Sequence, residues 1–450
     1  MAIHPIEFRY GTAEMRAIWE EEYRFSCIVQ AEVALARASA AHLFIPAAAA
    51  DAIAAGAGKT TLARAKEIEE EIGHDMMAIV KAIAEQCGEG GGYVHYGATS
   101  NDILDTATGM QVKASIAILD RKLRRLLFAL LKRADETRTL VCAARTHGQI
   151  GVPTTYGLRF AIWASEVARH IERLGQMTPR VAVGQLTGAV GTQSALGGKG
   201  MEIQATMMEI LGLVPVDVSN QVISRDRYAE YFMFLANVAT TLDKIGIEVR
   251  TLQRTEIGEV EEAFGARQVG SSTMPHKRNP IKSEQVCGLA RVVRAAVEPA
   301  LQNNTLWDER DLTNSSCERV IFPEATILAD HILALMIRVI DGLTIKHDRI
   351  SQNLALLQGV NMAESVMIEL TVRGMGRQEA HESMRQASMH ALERKIPLAE
   401  VLSSDKKVRK FIAPGEVQAL LDPRRYIGTA PAQVERLIQK LSPLCKESRG

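Results

Sequence analysis

Residues 225–262 read RDRYAEYFMFLANVATTLDKIGIEVRTLQRTEIGEVEE, and this stretch decides the fold class. It contains no proline, and only Gly246 and Gly258 interrupt residues that mostly favour helices. Its apolar residues recur in steps of three and four, at Leu235, Val238, Leu242, Ile245, Val249 and Leu252. This spacing is typical of the seam along which helices pack in a bundle. The stretch therefore predicts a long bundle helix.

Three further segments repeat this pattern, at residues 106–141, 156–177 and 281–301. A helix of about 35 residues is about 50 Å long, at about 1.5 Å per residue. Helices of that length commonly pack against the same helices of other subunits, so we predict a homo-oligomer with the bundle at its core. The alternative is a monomeric helical protein. No convincing strand pattern is found.

The distribution of long and short helices predicts an all-α chain of three helical domains. The N-terminal helical domain covers residues 1–105 and the C-terminal one covers residues 351–450. Between them, residues 106–350 form the central long-helix bundle, which we expect to assemble into a tetrameric helical core. The flexible GSS loop belongs to this central part.

Composition excludes several classes of protein. The 450 residues include 53 Lys+Arg and 53 Asp+Glu, and a zero net charge argues against general nucleic-acid binding. Six widely spaced cysteines predict reduced thiols in a cytoplasmic protein. The N-terminal residues do not resemble a signal peptide, and the apolar stretch 325–343 is broken by charged residues, so no membrane association is expected.

The sequence contains no complete motif for a cofactor or a metal. GAGKTT at 56–61 resembles the end of a phosphate-binding loop, but Ile53 stands where that motif requires glycine. The eleven histidines show no HExxH or HxH spacing, and no GxGxxG follows a strand. The sequence therefore predicts no metal site and no dinucleotide cofactor.

Three segments between the helices mix glycine with polar and ionisable residues. They are VHYGATSND at 94–102, RTHGQIGVPTTYG at 145–157 and VGSSTMPHKRNP at 269–280. In the third, hydroxyl groups precede the cationic residues His276, Lys277 and Arg278, a combination that suits an anionic substrate. On composition alone, a solvated basic turn is the more common explanation.

GSSTMPHKRNP resembles the hallmark loop G-S-S-x-M-P-x-K-x-N-P of the fumarase/aspartase superfamily. RTHGQ, HYGATSNDILDTA and RYGTAEMRAIWEEEYRF are similar to the adenylosuccinate lyase branch, as are WDERDLTNSSCER and NMAESVMIELTVRGMGRQEAHE. Three residues depart from the commoner family pattern: Asn101, Asp308 and Asn314. The resemblance implies release of fumarate from succinyl-AMP and from the succinyl-carboxamide ribotide of purine biosynthesis. It also implies a homotetramer whose sites are each shared by three subunits, without metal or organic cofactor.

The same resemblance implies roles for individual residues. Ser271 matches the general base and His147 the general acid, while Glu284 would orient the loop or His147. Groups matched to the substrate carboxylates are Thr99, Ser100, Thr146, Gln221, Lys277 and Asn279. His74, Asp75 and His95 match further active-site positions. Groups matched to the nucleotide phosphate are Arg9, Tyr10, Arg310, Ser315 and Arg319.

Two other functions are considered. One is another lyase of the superfamily, or a carboxymuconate cycloisomerase, acting on a different carboxylate substrate. A phosphate-free substrate would not need both Arg310 and Arg319, although surface ion pairs would also explain these arginines. The other is a non-catalytic helical scaffold, which we would expect to lack Ser271, His147 or Lys277.

Overall fold

The computed structural model describes residues 4–265, 273–274 and 276–445. In the described residues, six α-helices precede α7 (Ser100–Glu136): α1 Pro5–Phe8, α2 Ala13–Trp19, α3 Glu21–Ala41, α4 Ala47–Ala57, α5 Leu62–Ile72 and α6 Asp75–Ala84. Polar side chains fix several of their starts. Thr12 and Thr61, for example, accept backbone N–H groups of the first turns of α2 and α5.

The middle of the chain holds the long helices, in agreement with the apolar periodicity. They and the shorter helices between them are α7 Ser100–Glu136, α8 Tyr156–Val181, α9 Gly200–Leu211, α10 Asp226–Leu252, α11 Ile281–Ala295, α12 Val297–Gln302 and α13 Thr313–Gly342. The all-α prediction is confirmed. Several boundaries differ from prediction. α7 spans Ser100–Glu136 rather than 106–141, and α8 continues to Val181 rather than 177. α10 ends at Leu252, and the expected helix over 281–301 is divided at Ala296.

The last hundred residues form short helices, as predicted. These are α14 His347–Ala355, α15 Ala363–Val372, α16 Arg377–Arg394, α17 Leu398–Ser404, α18 Pro414–Leu420 and α19 Ala430–Leu441. Residues between Met362 and Leu421 share a hydrophobic core of their own. This core supports the proposed C-terminal domain, while the division into three domains stays a prediction.

The expectation that the chain lacks strands is wrong. The part of the chain that the structure describes contains three two-stranded sheets. Their strands are β1 Val141–Thr146, β2 Gln149–Thr155, β3 Val183–Gly184, β4 Val214–Pro215, β5 Val260–Glu261 and β6 Thr344–Ile345. β1 and β2 form an antiparallel hairpin with a register shift between Ala143 and Arg145. β2 contains Gly151 and Pro153, and both residue types are uncommon in strands. Because of this low strand propensity, the hairpin could not be predicted from the sequence.

By residue contacts the chain divides into two compact units. The first contains Met1–Leu123, Arg169–Asp243 and Gln285–Ala334. One apolar cluster in this unit joins α3, α4 and α6 to the start of α7 and to α9.

The second unit contains Arg124–Ala168, Lys244–Glu284 and Leu335–Gly450. Here Gly157 lets the start of α8 approach the end of α7. A Cβ at Gly157 would lie 2.4 Å from Arg138 Cα and 2.6 Å from the Ala134 carbonyl oxygen. This close approach fixes the chain directly after β2.

Helix α13 is the one helix in the described residues that is long and apolar enough to cross a membrane. Its most apolar window is 72% buried inside the structure. Core helices of folded proteins have the same character, so this composition is accounted for by packing.

Candidate functional site

A cavity of about 320 Å³ lies in the first unit. Five positively charged side chains line it: Arg24, Lys66, Arg225, Arg310 and Arg319. Five carboxylates line it as well: Glu21, Glu69, Asp75, Asp105 and Glu318. Apolar groups such as Trp19 and Phe322 complete the wall. This combination suits a ligand that has both a planar apolar part and an anionic group.

One side of the cavity is a closed ionic network around Arg225, a residue that is 3% exposed. Its guanidinium donates to both Asp105 carboxylate oxygens, at 2.7 and 2.9 Å, and to Glu318 Oε1 at 3.0 Å. Burial raises the pKa of Glu318, although the positive charge of Arg225 opposes this shift. Because its donors are already used within the protein, Arg225 holds the wall together.

Three residues matched to the phosphate, Arg310, Ser315 and Arg319, line this cavity together. Arg319 Nη2 lies 2.6 Å from Asp75 Oδ2, and Arg310 Nη1 donates to Gln221 Oε1 at 3.0 Å. Arg310 Nε is buried and has no hydrogen-bond partner within the described part of the chain. The structure thus groups five predicted substrate residues at this cavity: Asp75, Gln221, Arg310, Ser315 and Arg319.

Most of the segment between Arg310 and Arg319 is helical, because α13 begins at Thr313. The Asp311 carboxylate accepts the Thr313 backbone N–H at 2.8 Å, which stabilises the helix start. Ser315 and Arg319 are consequently four residues apart on one helix and share a face.

Arg9 and Tyr10 follow the short helix α1 and are not among the residues that line this cavity. The Arg9 guanidinium is 5.9 Å from the Tyr10 ring centre, and the Tyr10 ring is 5.5 Å from that of His331. Their assignment to the phosphate stays a prediction.

His74 and Asp75 stand at the start of α6. His74 Nδ1 accepts the Met77 backbone N–H at 3.3 Å, so His74 acts as the N-cap residue. Asp75 accepts the Met76 N–H at 2.7 Å and also pairs with Arg319. Burial raises the pKa of Asp75, but its hydrogen bonds and Arg319 outweigh burial and bring the pKa below its usual value.

His95 has a buried carboxylate partner that the sequence did not reveal. Its Nδ1 lies 2.6 Å from Glu32 Oε1, and its backbone has φ +64°. Burial lowers the pKa of His95, but the hydrogen bond and charge of Glu32 raise it by more, so the net shift is upward.

Thr99 and Ser100 lie at the start of α7, where Asp102 organises the backbone. Asp102 is fully buried and accepts N–H groups from Thr99 at 2.9 Å, Thr187 at 2.8 Å and Gly188 at 3.1 Å. Burial raises the pKa of Asp102 despite these bonds. Asp102 therefore fixes the loop that holds the predicted substrate groups.

In the second unit, Thr146 and His147 lie at the tip of the β1–β2 hairpin. Thr146 pairs with Gln149, so His147 and Gly148 form a two-residue turn with φ values of +54° and +77°. Two positive φ values are the signature of a type I′ turn. Histidine is one of the few non-glycine residues found in this conformation with some frequency. The turn exposes His147 to solvent.

The hairpin is attached to a buried carboxylate, Glu259, which sequence reasoning missed. Glu259 accepts hydrogen bonds from Arg145 Nη2 at 2.6 Å, Tyr156 OH at 2.5 Å and Asn353 Nδ2 at 2.8 Å. Burial raises the pKa of Glu259, but these three donors outweigh burial, so the pKa lies below its usual value. Burial raises the pKa of Tyr156, so its hydroxyl stays protonated and donates.

The remaining predicted residues lie in the GSS loop or in the segment directly after it. Ser271 lies outside the described residues. Lys277 is exposed and its backbone N–H donates to the Met274 carbonyl at 3.1 Å. Asn279 is half-buried, and Glu284 is exposed in the first turn of α11. Among the described residues, no group of three or more His, Cys, Asp or Glu side chains is arranged to hold a metal ion.

Comparisons with known proteins give a consistent result. A family model described as Lyase matches residues 7–295, and one described as Adenylosuccinate lyase C-terminus matches residues 359–437. An adenylosuccinate lyase of Archaeoglobus fulgidus is 51% identical over 446 residues, covering 99% of this chain and 100% of that protein.

Two solved structures share the fold over nearly the whole chain. A fumarate lyase from Mesorhizobium sp. BNC1 has a TM-score of 0.88 and 32% identity, covering 95% of this chain and 98% of its own. A 3-carboxy-cis,cis-muconate lactonizing enzyme from Pseudomonas putida has a TM-score of 0.89 and 29% identity, covering 98% of this chain and 99% of its own.

Proposed function

The chain belongs to the adenylosuccinate lyase family, and we propose that it releases fumarate from succinyl-AMP to give AMP. The same elimination would act on the succinyl-aminoimidazole-carboxamide ribotide of purine biosynthesis. The observation that carries this proposal is the 51% identity to an adenylosuccinate lyase over 99% of the chain. The chain is thus an enzyme of the lyase class, and the scaffold alternative is set aside.

The reaction removes a proton from the carbon beside one carboxylate and breaks the bond between the neighbouring carbon and nitrogen. Ser271 would take the proton, and the electron pair left behind forms the double bond of fumarate. His147 would donate a proton to the departing nitrogen, a task that suits an imidazole near neutral pH. Its exposed position at the hairpin tip is compatible with this role.

Negative charge on the substrate would be held by cations and hydrogen-bond donors. Lys277 would stabilise the carboxylate whose charge grows as the proton leaves. Arg310, Ser315 and Arg319 would bind the phosphate, and their common cavity supports this assignment. Guanidinium groups suit this task because their paired N–H donors match phosphate oxygens.

We propose that the chain assembles into a homotetramer in which subunits share active sites. We also propose that the protein is cytoplasmic. The predicted residues leave several different helices, and long helices commonly pack against copies of themselves. Sedimentation equilibrium tests this, because a tetramer has four times the mass of the 49.3 kDa chain. A monomer in the active preparation would contradict shared sites.

The rival function is cyclisation of a carboxymuconate, which is favoured by the fold shared with the Pseudomonas putida enzyme. An ultraviolet assay with each substrate separates the two. We expect the purified chain to consume succinyl-AMP and to leave 3-carboxy-cis,cis-muconate unchanged. Turnover of the muconate without turnover of succinyl-AMP would overturn the proposal.

A further inference from the structure

Arg24 is a cavity residue to which the sequence resemblance gave no role. It lies in the first turn of α3 and lines the same cavity as Arg310 and Arg319. Within the described residues, no hydrogen bond or ion pair involves its guanidinium. A partly buried guanidinium without a carboxylate partner is uncommon, because arginine is usually either exposed or paired.

The other charges of the cavity are largely paired within the protein. Arg225 is bound by Asp105 and Glu318, Arg319 by Asp75, and Lys66 by Glu21. Arg24 and Arg310 are then left without a carboxylate partner, whereas Arg225 is shared by two carboxylates and Glu69 is a further carboxylate of the lining. Glu69 is exposed to solvent, so water screens its charge. Apart from Glu69 and the exposed Lys66–Glu21 pair, the cavity is lined by four arginines and three carboxylates, so this inner part carries an excess of one positive charge.

Electrostatics inside the cavity agree with this accounting. Burial lowers the pKa of Arg24, and the nearby charge of Arg319 lowers it further. Burial likewise lowers the pKa of Arg310, whose Nε has no partner in the described part of the chain. Both guanidinium groups stay charged at neutral pH. Two partly buried like charges destabilise the free protein, and a bound anion would offset that cost.

We propose that Arg24 is a further binding residue for the phosphate of the nucleotide, acting in the same cavity as Arg310 and Arg319. The nucleotide identity rests on the proposed function, whereas the anionic character of the ligand rests on the cavity itself. A dianionic phosphate would occupy the unpaired N–H donors of Arg24 and Arg310 together. The remaining apolar wall would contact the less polar part of the ligand.

Calorimetry with AMP and adenosine tests this proposal, because the two ligands differ only in the phosphate. Arg24→Met should weaken AMP binding by about 10- to 100-fold, the usual effect of losing charge-assisted hydrogen bonds. The affinity for adenosine should change by less than about 3-fold, which is the size of effect expected of a substitution that removes no contact with the ligand. Arg37→Met is the matched control, because Arg37 is exposed on the same helix, and it should leave AMP binding unchanged.

Two results would overturn the role of Arg24: unchanged AMP affinity in Arg24→Met, or equal losses for AMP and adenosine. If Arg24→Met does not fold, Arg24→Lys gives the same comparison. It keeps the charge but loses the planar fork, so AMP should bind several-fold more weakly than to the wild type. Fumarate release by the wild type is measured separately, so failure of the proposed function is distinguishable from failure at Arg24.

Discussion

Arg145 Nη2 donates to Glu259 Oε1 at 2.6 Å, two residues before the exposed His147 at the hairpin tip. Glu259 is fully buried, and it also accepts the hydroxyl of Tyr156, the residue directly after β2. Glu259 therefore binds both a residue of β1 beside the turn and the residue directly after β2. This buried network supports the hairpin that carries the proposed general acid.

Replacing Glu259 should destabilise the second unit. Glu259→Leu removes the carboxylate and leaves the partly buried Arg145 unpaired, so we expect a loss of about 3–5 kcal/mol in the free energy of unfolding. Urea denaturation measures this change. The control is Glu393→Gln on the surface of α16, which should alter stability by less than about 0.5 kcal/mol. Equal, small effects of both changes would contradict a structural role for Glu259.

His147 permits a clean separation of turn geometry from acid catalysis. Asparagine tolerates positive φ, so His147→Asn should preserve the turn while removing the proton donor. We expect kcat for succinyl-AMP to fall by about 10²- to 10⁴-fold. The melting temperature should stay close to that of the wild type. Wild-type kcat in His147→Asn would exclude His147 as the acid.

The pairing of His95 with Glu32 predicts a pH-dependent contribution to stability. Because the folded protein raises the pKa of His95, this contribution is full below the unfolded pKa of about 6.5. It is lost as the pH rises through the higher folded pKa. Glu32→Gln should lower the melting temperature by about 2–4 °C more at pH 6 than at pH 9. A difference from the wild type that is constant, or that grows with pH, would contradict the pairing.

Arg319 should affect substrate binding more than the chemical step. It lies beside Asp75 at the cavity, and its proposed role is to bind the phosphate, which does not take part in the elimination. Arg319→Ala should raise KM for succinyl-AMP by about 10-fold or more, with kcat changed by a few-fold at most. Arg436→Ala, on the exposed face of α19, is the matched arginine control. An unchanged KM in Arg319→Ala would argue against a phosphate contact.

The long helices could be predicted from sequence because their apolar periodicity is a local property. Residues 225–252 show this well: Leu235, Leu242 and Val249 all proved buried. The β1–β2 hairpin could not, because Gly151 and Pro153 give it poor strand propensity. The start of α13 did leave a signal in Asp311, whose carboxylate before Thr313 is a helix-start pattern.

Only those site residues that lie in motifs shared with the family could be predicted from the sequence. That resemblance named Arg310, Ser315 and Arg319, which the structure places along one cavity. Arg24 and Glu259 were missed because their importance depends on burial and on partners remote in sequence. Neither burial nor pairing of a single charged residue can be seen in a sequence without its fold.

The central claim is elimination of fumarate from succinyl-AMP, and product analysis of the purified chain tests it most directly. The wild type should release fumarate and AMP in equal amounts. Ser271→Ala should lose nearly all of this activity while still binding AMP. Absence of fumarate from the wild-type reaction, or full activity in Ser271→Ala, would contradict the account.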